Sequence, residues 1–306
     1  MSQTYLDPKN DIVFKRIFGE HPNILKSFLN ALLPLPEDGQ IESLEYLPAD
    51  QAPVLPLLKH SIVDVRCQDQ QGRYFIVEMQ MNWTSAFLQR VLFNASKAYV
   101  RQLDKGDDYK LLQPVIGLSI LDDTFDHQTD QFYHHYQMIN VDQPDRLIEG
   151  LQLVFIELPK FNPSGKLARM KRAWLRFLRE TGAKESAESL AVITKEIASE
   201  SSEIQQALEL TGEAAYSKIQ LAAYDRYWDA VSSERTLFNG AHAEGKAEGK
   251  AEGRAEGKAE GIAEGESKGL AKGLADGRAL ERAALLSKLI ASGMSAETAS
   301  QLLDLN

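Results

Sequence analysis

The chain has little cysteine, no long apolar run and no excess of positive charge, and each absence excludes some classes of protein. A single cysteine, Cys67, in 306 residues excludes an internal disulfide and a zinc site built from several thiolates. No apolar run is long enough to cross a bilayer, and residues 1–9 lack the apolar segment of a signal peptide. We therefore expect a cytoplasmic protein with no membrane partner.

The net charge of -10 argues against a protein that coats nucleic acid without specificity, because such binding depends on Lys and Arg neutralising phosphates. One stretch differs, since residues 160–179 contain no Asp or Glu. The spacing of its apolar residues predicts a helix that buries Trp174 and Phe177. Its outward cations are candidate DNA phosphate contacts: Lys166, Arg169, Lys171, Arg172 and Arg176. A merely solvated helix face fits the same pattern.

Acidic side chains interrupt two apolar runs, at residues 61–67 and 74–81, that read as neighbouring strands joined by a tight polar turn. Side chains alternate along a strand, so Glu78 and Gln80 share one face, and Asp64 can meet them from the other strand. Buried carboxylates need a partner, and a divalent cation with oxygen ligands is one such partner. A structural polar patch capped by Arg66 fits the same spacing.

The order of the remaining patterns predicts a mixed α/β core that ends near Lys160. Asp7 and Pro8 read as the start of a first helix and Pro22 as the start of a second; residues 84–103 read as a helix, and residues 114–121 and 151–156 as buried strands. We divide the chain into a core at 1–160, a helical extension with the basic helix at 161–240, a repeat linker at 241–278 and a helical hairpin at 279–306.

Glycine recurs at every fourth position from 245 to 277, in tetrapeptides of which Ala-Glu-Gly-Lys is the commonest. Nine glycines, at about 1 kcal/mol each relative to alanine, disfavour an isolated helix. We expect an extended, weakly helical linker or a self-association segment. Together with a terminal helical hairpin that turns at Gly293, it would support a homo-oligomer.

Several segments in order resemble the PD-(D/E)XK nuclease superfamily, and within it the PD-(D/E)XK nuclease family transposases and the recombination-promoting nuclease (Rpn) family. The similar segments are residues 11–19, 62–66, 77–80, 103–109 and 157–161, with Gly72, Arg90 and Tyr99. They extend across about the first 160 residues. The resemblance implies a restriction-endonuclease-like α/β fold, a mixed sheet flanked by helices, here followed by a helical region and the glycine-repeat tail.

The resemblance also implies cleavage of DNA phosphodiester bonds with Mg²⁺, for which Mn²⁺ would substitute. Asp64 and Glu78 match the two motif acids, and they would hold the ion together with the backbone carbonyl of Met79. Gln80 stands where the superfamily motif has lysine. Glutamine can orient a water molecule but carries no charge.

Other residues are candidates for supporting roles in such a site. Lys15 or Lys97 would supply the missing charge, and Asp11 resembles an additional acid that related enzymes place on the first helix. Arg90 and Tyr99 are nine residues apart on one helix, so they point in opposite directions. We expect Arg90 to contact phosphate and Tyr99 to support the structure.

Two functions follow from these observations. The first is a metal-dependent DNA endonuclease linked to recombination or mobile elements. The alternative is a catalytically decayed nuclease scaffold that acts as a DNA-binding or oligomerising assembly protein.

Overall fold

A computed structural model describes residues 4–47, 63–84, 86–182 and 187–304, and gives the backbone alone for Val63, Asp64 and residues 187–191, 193 and 304. The chain divides into two compact units, Met1–Arg235 and Thr236–Asn306.

Within the described residues of the first unit, six strands form one mixed sheet in the order β1-β2-β3-β4-β6-β5. The strands β1 to β6 are Leu44–Tyr46, Val63–Asp69, Tyr74–Gln80, Val115–Leu121, Tyr133–Asn140 and Gln143–Glu157. Strands β3, β4 and β6 are parallel, whereas β1 and β2 run antiparallel to their neighbours and β5 runs antiparallel to β6. This mixed sheet confirms the predicted α/β class.

Helices precede, interrupt and follow the strands. Helices α1 to α8 are Asp11–Phe14, Pro22–Leu32, Phe87–Val100, Arg169–Glu180, Ala187–Ala198, Ser202–Leu210, Lys218–Ala291 and Ala296–Asp304, and α1 continues as a π-helix, Lys15–Gly19. Pro22 opens α2, as predicted. The first helix starts later than predicted, because the Asn10 side chain, not that of Asp7, accepts a hydrogen bond from Ile12 N.

The sheet has two faces, and β3 sends alternate side chains to each. Phe75, Val77 and Met79 join the large core with α1 and α2, a side that we call the α1 face. Ile76 packs instead with Ala95 of helix α3, on what we call the α3 face. Because alternate residues share a face, Glu78 and Gln80 belong to the α3 face.

Helices after Lys160 share the core of the α1 face. Trp174 is fully buried, and its ring lies 5.4 Å from that of Phe28 and 5.9 Å from that of Phe18. Leu175, Phe177 and Leu178 are buried beside it. The apolar stripe predicted for this basic helix is therefore confirmed.

Strand β5 was not predicted. It is an edge strand that pairs with β6 alone, and most of its residues are exposed. Strand β6 begins at Gln143, eight residues before the predicted apolar run at 151–156. The buried half of β6 carries an apolar pattern, whereas the exposed hairpin formed by β5 and the start of β6 lacks one.

In the second unit, the glycine repeats lie within helix α7, which runs without interruption to Ala291. The expectation of an extended, weakly helical segment therefore needs correction. Every residue from 236 to 284 is exposed, and a Cβ built on any of the nine repeat glycines meets no atom within 4 Å. The chain turns at Gly293, whose φ is +98°, at the position where the sequence predicts a turn.

Candidate active site

The two motif acids are direct neighbours in the sheet. Antiparallel pairing of β2 with β3 places Asp64 opposite Glu78, and parallel pairing of β3 with β4 places Ser119 opposite Glu78 on its other side. Residues paired in this way share one face of a sheet. Asp64, Glu78 and Ser119 therefore form a polar row across three strands, with Asp64 placed by its backbone alone.

The central acid of this row lies beneath helix α3. Glu78 is 2% exposed, and Asn94 Nδ2 donates a hydrogen bond to Glu78 Oε1 at 3.3 Å. Ser119 is 1% exposed, yet its Oγ has no hydrogen-bond partner within the described residues. A buried polar group without a partner costs about 1–3 kcal/mol. This face therefore holds more hydrogen-bonding capacity than the described protein atoms use.

The amide of Gln80 is engaged at both ends. Its Nε2 donates to the backbone oxygen of Asn82 at 2.8 Å, and its Oε1 accepts from Arg90 Nη2 at 2.7 Å. The Arg90 guanidinium also lies over the ring of Phe87, with Cζ 5.1 Å from the ring centroid. Gln80 therefore fixes Arg90 at the end of β3, one step along the α3 face from Glu78.

The end of strand β3 is held by two residues of helix α7, Glu234 and Arg235, which lie more than 150 positions away in the sequence. Asn82 Nδ2 donates to Glu234 Oε2 at 2.9 Å, and Arg235 Nε donates to Asn82 Oδ1 at 3.1 Å. Arg235 Nη2 also donates to the backbone oxygen of Met81 at 3.3 Å. We call Asn82, Glu234 and Arg235 the strand-end clamp. The local sequence does not predict this clamp, because Glu234 and Arg235 have the pattern of ordinary charged residues on an exposed helix face.

No described contact joins Asp11 or Lys15 to Glu78 or Gln80. Asp11 and Lys15 pair with each other, with Lys15 Nζ 3.3 Å from Asp11 Oδ1, on the first helical segment, whose apolar residues pack on the α1 face. There Asp11 is near Tyr227: burial raises the pKa of the Tyr227 hydroxyl, and the negative charge of Asp11 raises that pKa further. Asp7 and Asp122 contribute to the same effect.

Tyr99, which we expected to point away from Arg90, contacts the same α3 face of the sheet as Arg90 does. Tyr99 packs with Ile76 and Leu151, and a Cβ built on Gly150 would lie 3.3 Å from its hydroxyl. Lys97 shares a helix face with Arg90 and Asn94, because the three residues are spaced at four and three positions. Tyr99 therefore contributes to packing, whereas Lys97 lies on the same stripe as the site residues.

Most cations of helix α4 are engaged within the protein. Arg176 pairs with Glu180 at 2.9 Å and Glu196 at 3.2 Å, and Arg169 pairs with Glu200. The three remaining helix cations bind other groups. Arg172 donates to the backbone oxygens of Gly165 and Leu167, Lys171 Nζ lies 3.9 Å above the ring centroid of Tyr133, and Arg179 donates to the backbone oxygen of Phe161. Exposed Lys166 precedes the helix. Any DNA contact by these helix side chains would compete with internal bonds.

A second buried carboxylate, Glu157, is the last residue of strand β6, and both of its oxygens have hydrogen-bond partners. It accepts from Phe125 N at 2.6 Å, Asp126 N at 3.1 Å and Lys160 Nζ at 2.7 Å, and His134 Nε2 lies 2.9 Å away. Burial alone would raise the pKa of Glu157, but these hydrogen bonds, that of Lys160 foremost, lower it below its usual range. A carboxylate with this many donors is a structural group.

Oxygen ligands for a hard cation are present only in part among the described side chains. No group of three or more His, Cys, Asp or Glu is arranged for a metal ion among these described side chains, which do not include that of Asp64. The orphaned hydroxyl of Ser119 beside Glu78 fits a hydrated divalent ion, whose water ligands would supply its missing partner. The donor set of this face therefore fits such an ion once Asp64 is included.

No helix of the described residues is long and apolar enough to span a membrane.

Comparison with known proteins identifies the family. No curated protein and no solved structure matches the chain. The family model of the PD-(D/E)XK nuclease family transposases matches residues 8–237, about three quarters of the chain, and thereby covers the polar row, Arg90 and the strand-end clamp. The mixed sheet flanked by helices is the restriction-endonuclease-like α/β fold. The chain therefore belongs to the PD-(D/E)XK nuclease family transposases.

Proposed function

We propose that this protein is a metal-dependent DNA endonuclease that acts in recombination or on mobile elements, with Mg²⁺ as its ion and Mn²⁺ as a substitute. The observation that carries the proposal is the register that sets Asp64 directly opposite buried Glu78, beside the unpartnered hydroxyl of Ser119. Family membership supports a nuclease reaction, and DNA is the substrate that the family name implies.

In the proposed site, Asp64, Glu78 and the Met79 carbonyl would hold the ion. When bound, a divalent ion neutralises charge on the phosphate and makes its bound water a stronger nucleophile. Asn94 keeps the Glu78 carboxylate oriented through its hydrogen bond to Oε1. The Ser119 hydroxyl would donate to a ligand or water on the same face. Helix α3 packs over Glu78, which is 2% exposed, and keeps bulk water from that carboxylate.

The proposal is tested by single-turnover cleavage of supercoiled plasmid in Mg²⁺, Mn²⁺, Ca²⁺ or EDTA. Glu78→Gln and Asp64→Asn keep the shape of each side chain and remove its charge, so we expect a loss of roughly 100-fold or more, as for other removals of transition-state stabilisation. Glu149→Gln is the matched control, because it removes an exposed carboxylate from strand β6. Equal cleavage by Glu78→Gln and Glu149→Gln would refute the assignment of Glu78.

The rival proposal is a decayed nuclease scaffold that binds DNA or drives assembly through its glycine repeats and terminal helices. It gains support from Gln80, whose amide is engaged at both ends and carries no charge. Wild-type protein that binds plasmid and leaves it intact under all four ionic conditions would favour this rival. Sedimentation of full-length protein beside a chain that ends at Asn239 would then test the assembly role.

A further inference from the structure

The guanidinium of Arg90 lies beside Gln80 in the candidate site, and its positive charge is not balanced by a described carboxylate. No described carboxylate forms an ion pair with its guanidinium, whereas Arg169 and Arg176 of helix α4 both pair with glutamates. Its hydrogen bond within the described residues runs from Nη2 to Gln80, and its buried Nε has no hydrogen-bond partner there. A half-buried cation with a spare donor is suited to bind an anion.

Gln80 is suited to hold this arginine in place. Its amide could reorient toward a water molecule only by giving up the 2.8 Å bond to Asn82 O and the 2.7 Å bond from Arg90. Asn82 is itself held by the strand-end clamp. The chain of contacts from Arg235 through Asn82 and Gln80 to Arg90 therefore leaves the guanidinium little freedom.

We propose that Arg90, positioned by Gln80, supplies the positive charge that lysine supplies in the superfamily motif. The inference rests on the proposed nuclease function and deepens it: Arg90 would contact the scissile phosphate, and Gln80 would be a positioning residue. The substitution of lysine by glutamine then moves the cation from strand β3 to helix α3 and keeps it in the site.

The two lysines that compete for this role are placed less well. Lys15 pairs with Asp11 on the first helical segment, whose core lies on the α1 face. Lys97 is on the same helix stripe as Arg90, but seven residues further along α3, about 10 Å away along the helix axis. No described contact holds Lys97 against the end of β3 where Gln80 fixes Arg90.

The test measures single-turnover cleavage in Mg²⁺ and DNA affinity in Ca²⁺ for full-length variants. Arg90→Ala should slow cleavage by about 100-fold or more, the usual effect of losing one preorganised donor, with a much smaller change in affinity. The double variant Gln80→Lys with Arg90→Ala restores the motif lysine and should regain most of the rate. Arg101→Ala, which removes a cation just past the end of the same helix, is the matched control and should cut as the wild type does.

Several results would overturn the inference. One is wild-type cleavage by Arg90→Ala, and another is an equal loss of affinity and rate, which would make Arg90 a docking residue. A folded double variant that stays inactive would also contradict it. Thermal unfolding checks each fold, and Arg90→Gln replaces Arg90→Ala where the latter unfolds. Failure of the wild type to cut would overturn the nuclease proposal and this inference together, whereas equal cutting by the wild type and Arg90→Ala would overturn the inference alone.

Discussion

Glu157→Gln should be among the most damaging single substitutions outside the candidate site. The carboxylate is fully buried and accepts hydrogen bonds from Phe125 N, Asp126 N and Lys160 Nζ, with His134 in contact. The glutamine keeps one carbonyl oxygen but places an amide where two donors converge. It also leaves Lys160, whose side chain is 14% exposed, without a counter-charge. Removing one partner of a buried ion pair typically costs 3–5 kcal/mol, so we expect about 4 kcal/mol.

Equilibrium unfolding in urea of the two purified proteins measures this difference. Glu149→Gln, exposed on the same strand, should stay within about 0.5 kcal/mol of the wild type. A midpoint shift of about 10 °C in thermal unfolding should accompany the 4 kcal/mol loss. If Glu157→Gln is destabilised by less than about 1 kcal/mol, the view that this carboxylate organises the ends of β4 and β6 is refuted.

The lowered pKa of Glu157 also predicts that part of the free energy of unfolding is lost in acid. Because the pKa of Glu157 is lowered in the folded state, the unfolded chain binds its proton more readily. The stabilisation is therefore complete above the ordinary pKa of a glutamate and is lost as pH falls through the folded value. The difference in unfolding free energy between the wild type and Glu157→Gln should shrink when it is measured at pH 3 instead of pH 7.

Three further predictions concern packing and burial. Burial, and to a smaller extent the charge of Asp69, raises the pKa of the Cys67 thiol to about 12. A thiol reagent at pH 8 should therefore modify the native protein only as fast as the protein unfolds. Labelling faster than unfolding would contradict the burial of Cys67. Gly182→Ala should lower stability by at least about 2 kcal/mol in urea unfolding, because φ is +76° and the new Cβ would lie 2.5 Å from Asp7 Cα; an unchanged midpoint would argue against this close approach. Burial raises the pKa of Asp122 in the folded protein, so ionisation of this carboxyl opposes folding at pH values above its ordinary pKa. Asp122→Asn should therefore increase the free energy of unfolding at pH 7 but not at pH 3. A decrease at pH 7 would show that the attraction of Asp122 to Lys9 prevails.

Local patterns were sufficient to predict the centre of the sheet and the acids within it. The alternation around Asp64 and Glu78 predicts two neighbouring strands, and the structure pairs these residues directly. The stripe around Trp174 predicts a buried helix face in the same way. Both patterns arise because burial of one face imposes the period of the element on its sequence. Asp64 and Glu78 as metal ligands remain a prediction.

Exposed elements and long-range contacts could not be predicted in this manner. Strand β5 is exposed at the edge of the sheet, so burial imposes no period on its residues, and only pairing with β6 defines it. In helix α7 the glycine content of the tetrapeptide repeat, taken alone, predicts against a helix. Six of the nine repeat glycines follow Ala-Glu, and five are followed by Lys or Arg. Alanine, glutamate, lysine and arginine are all strong helix formers.

The contacts of the candidate site indicate that the unit that holds this site extends well past residue 160, the point at which the sequence resemblance to the family ends. The strand-end clamp reaches Arg235, and the N-terminal segment is joined to residues beyond 200 by a bond from Leu6 N to Thr211 O at 2.8 Å. A chain cut at 160 would lose Trp174 from the core of the α1 face and both helical partners of Asn82. The family match to residue 237 ends two residues after Arg235. Since Asn82 in turn holds Gln80, and Gln80 holds Arg90, the helical extension is part of what orients the end of strand β3.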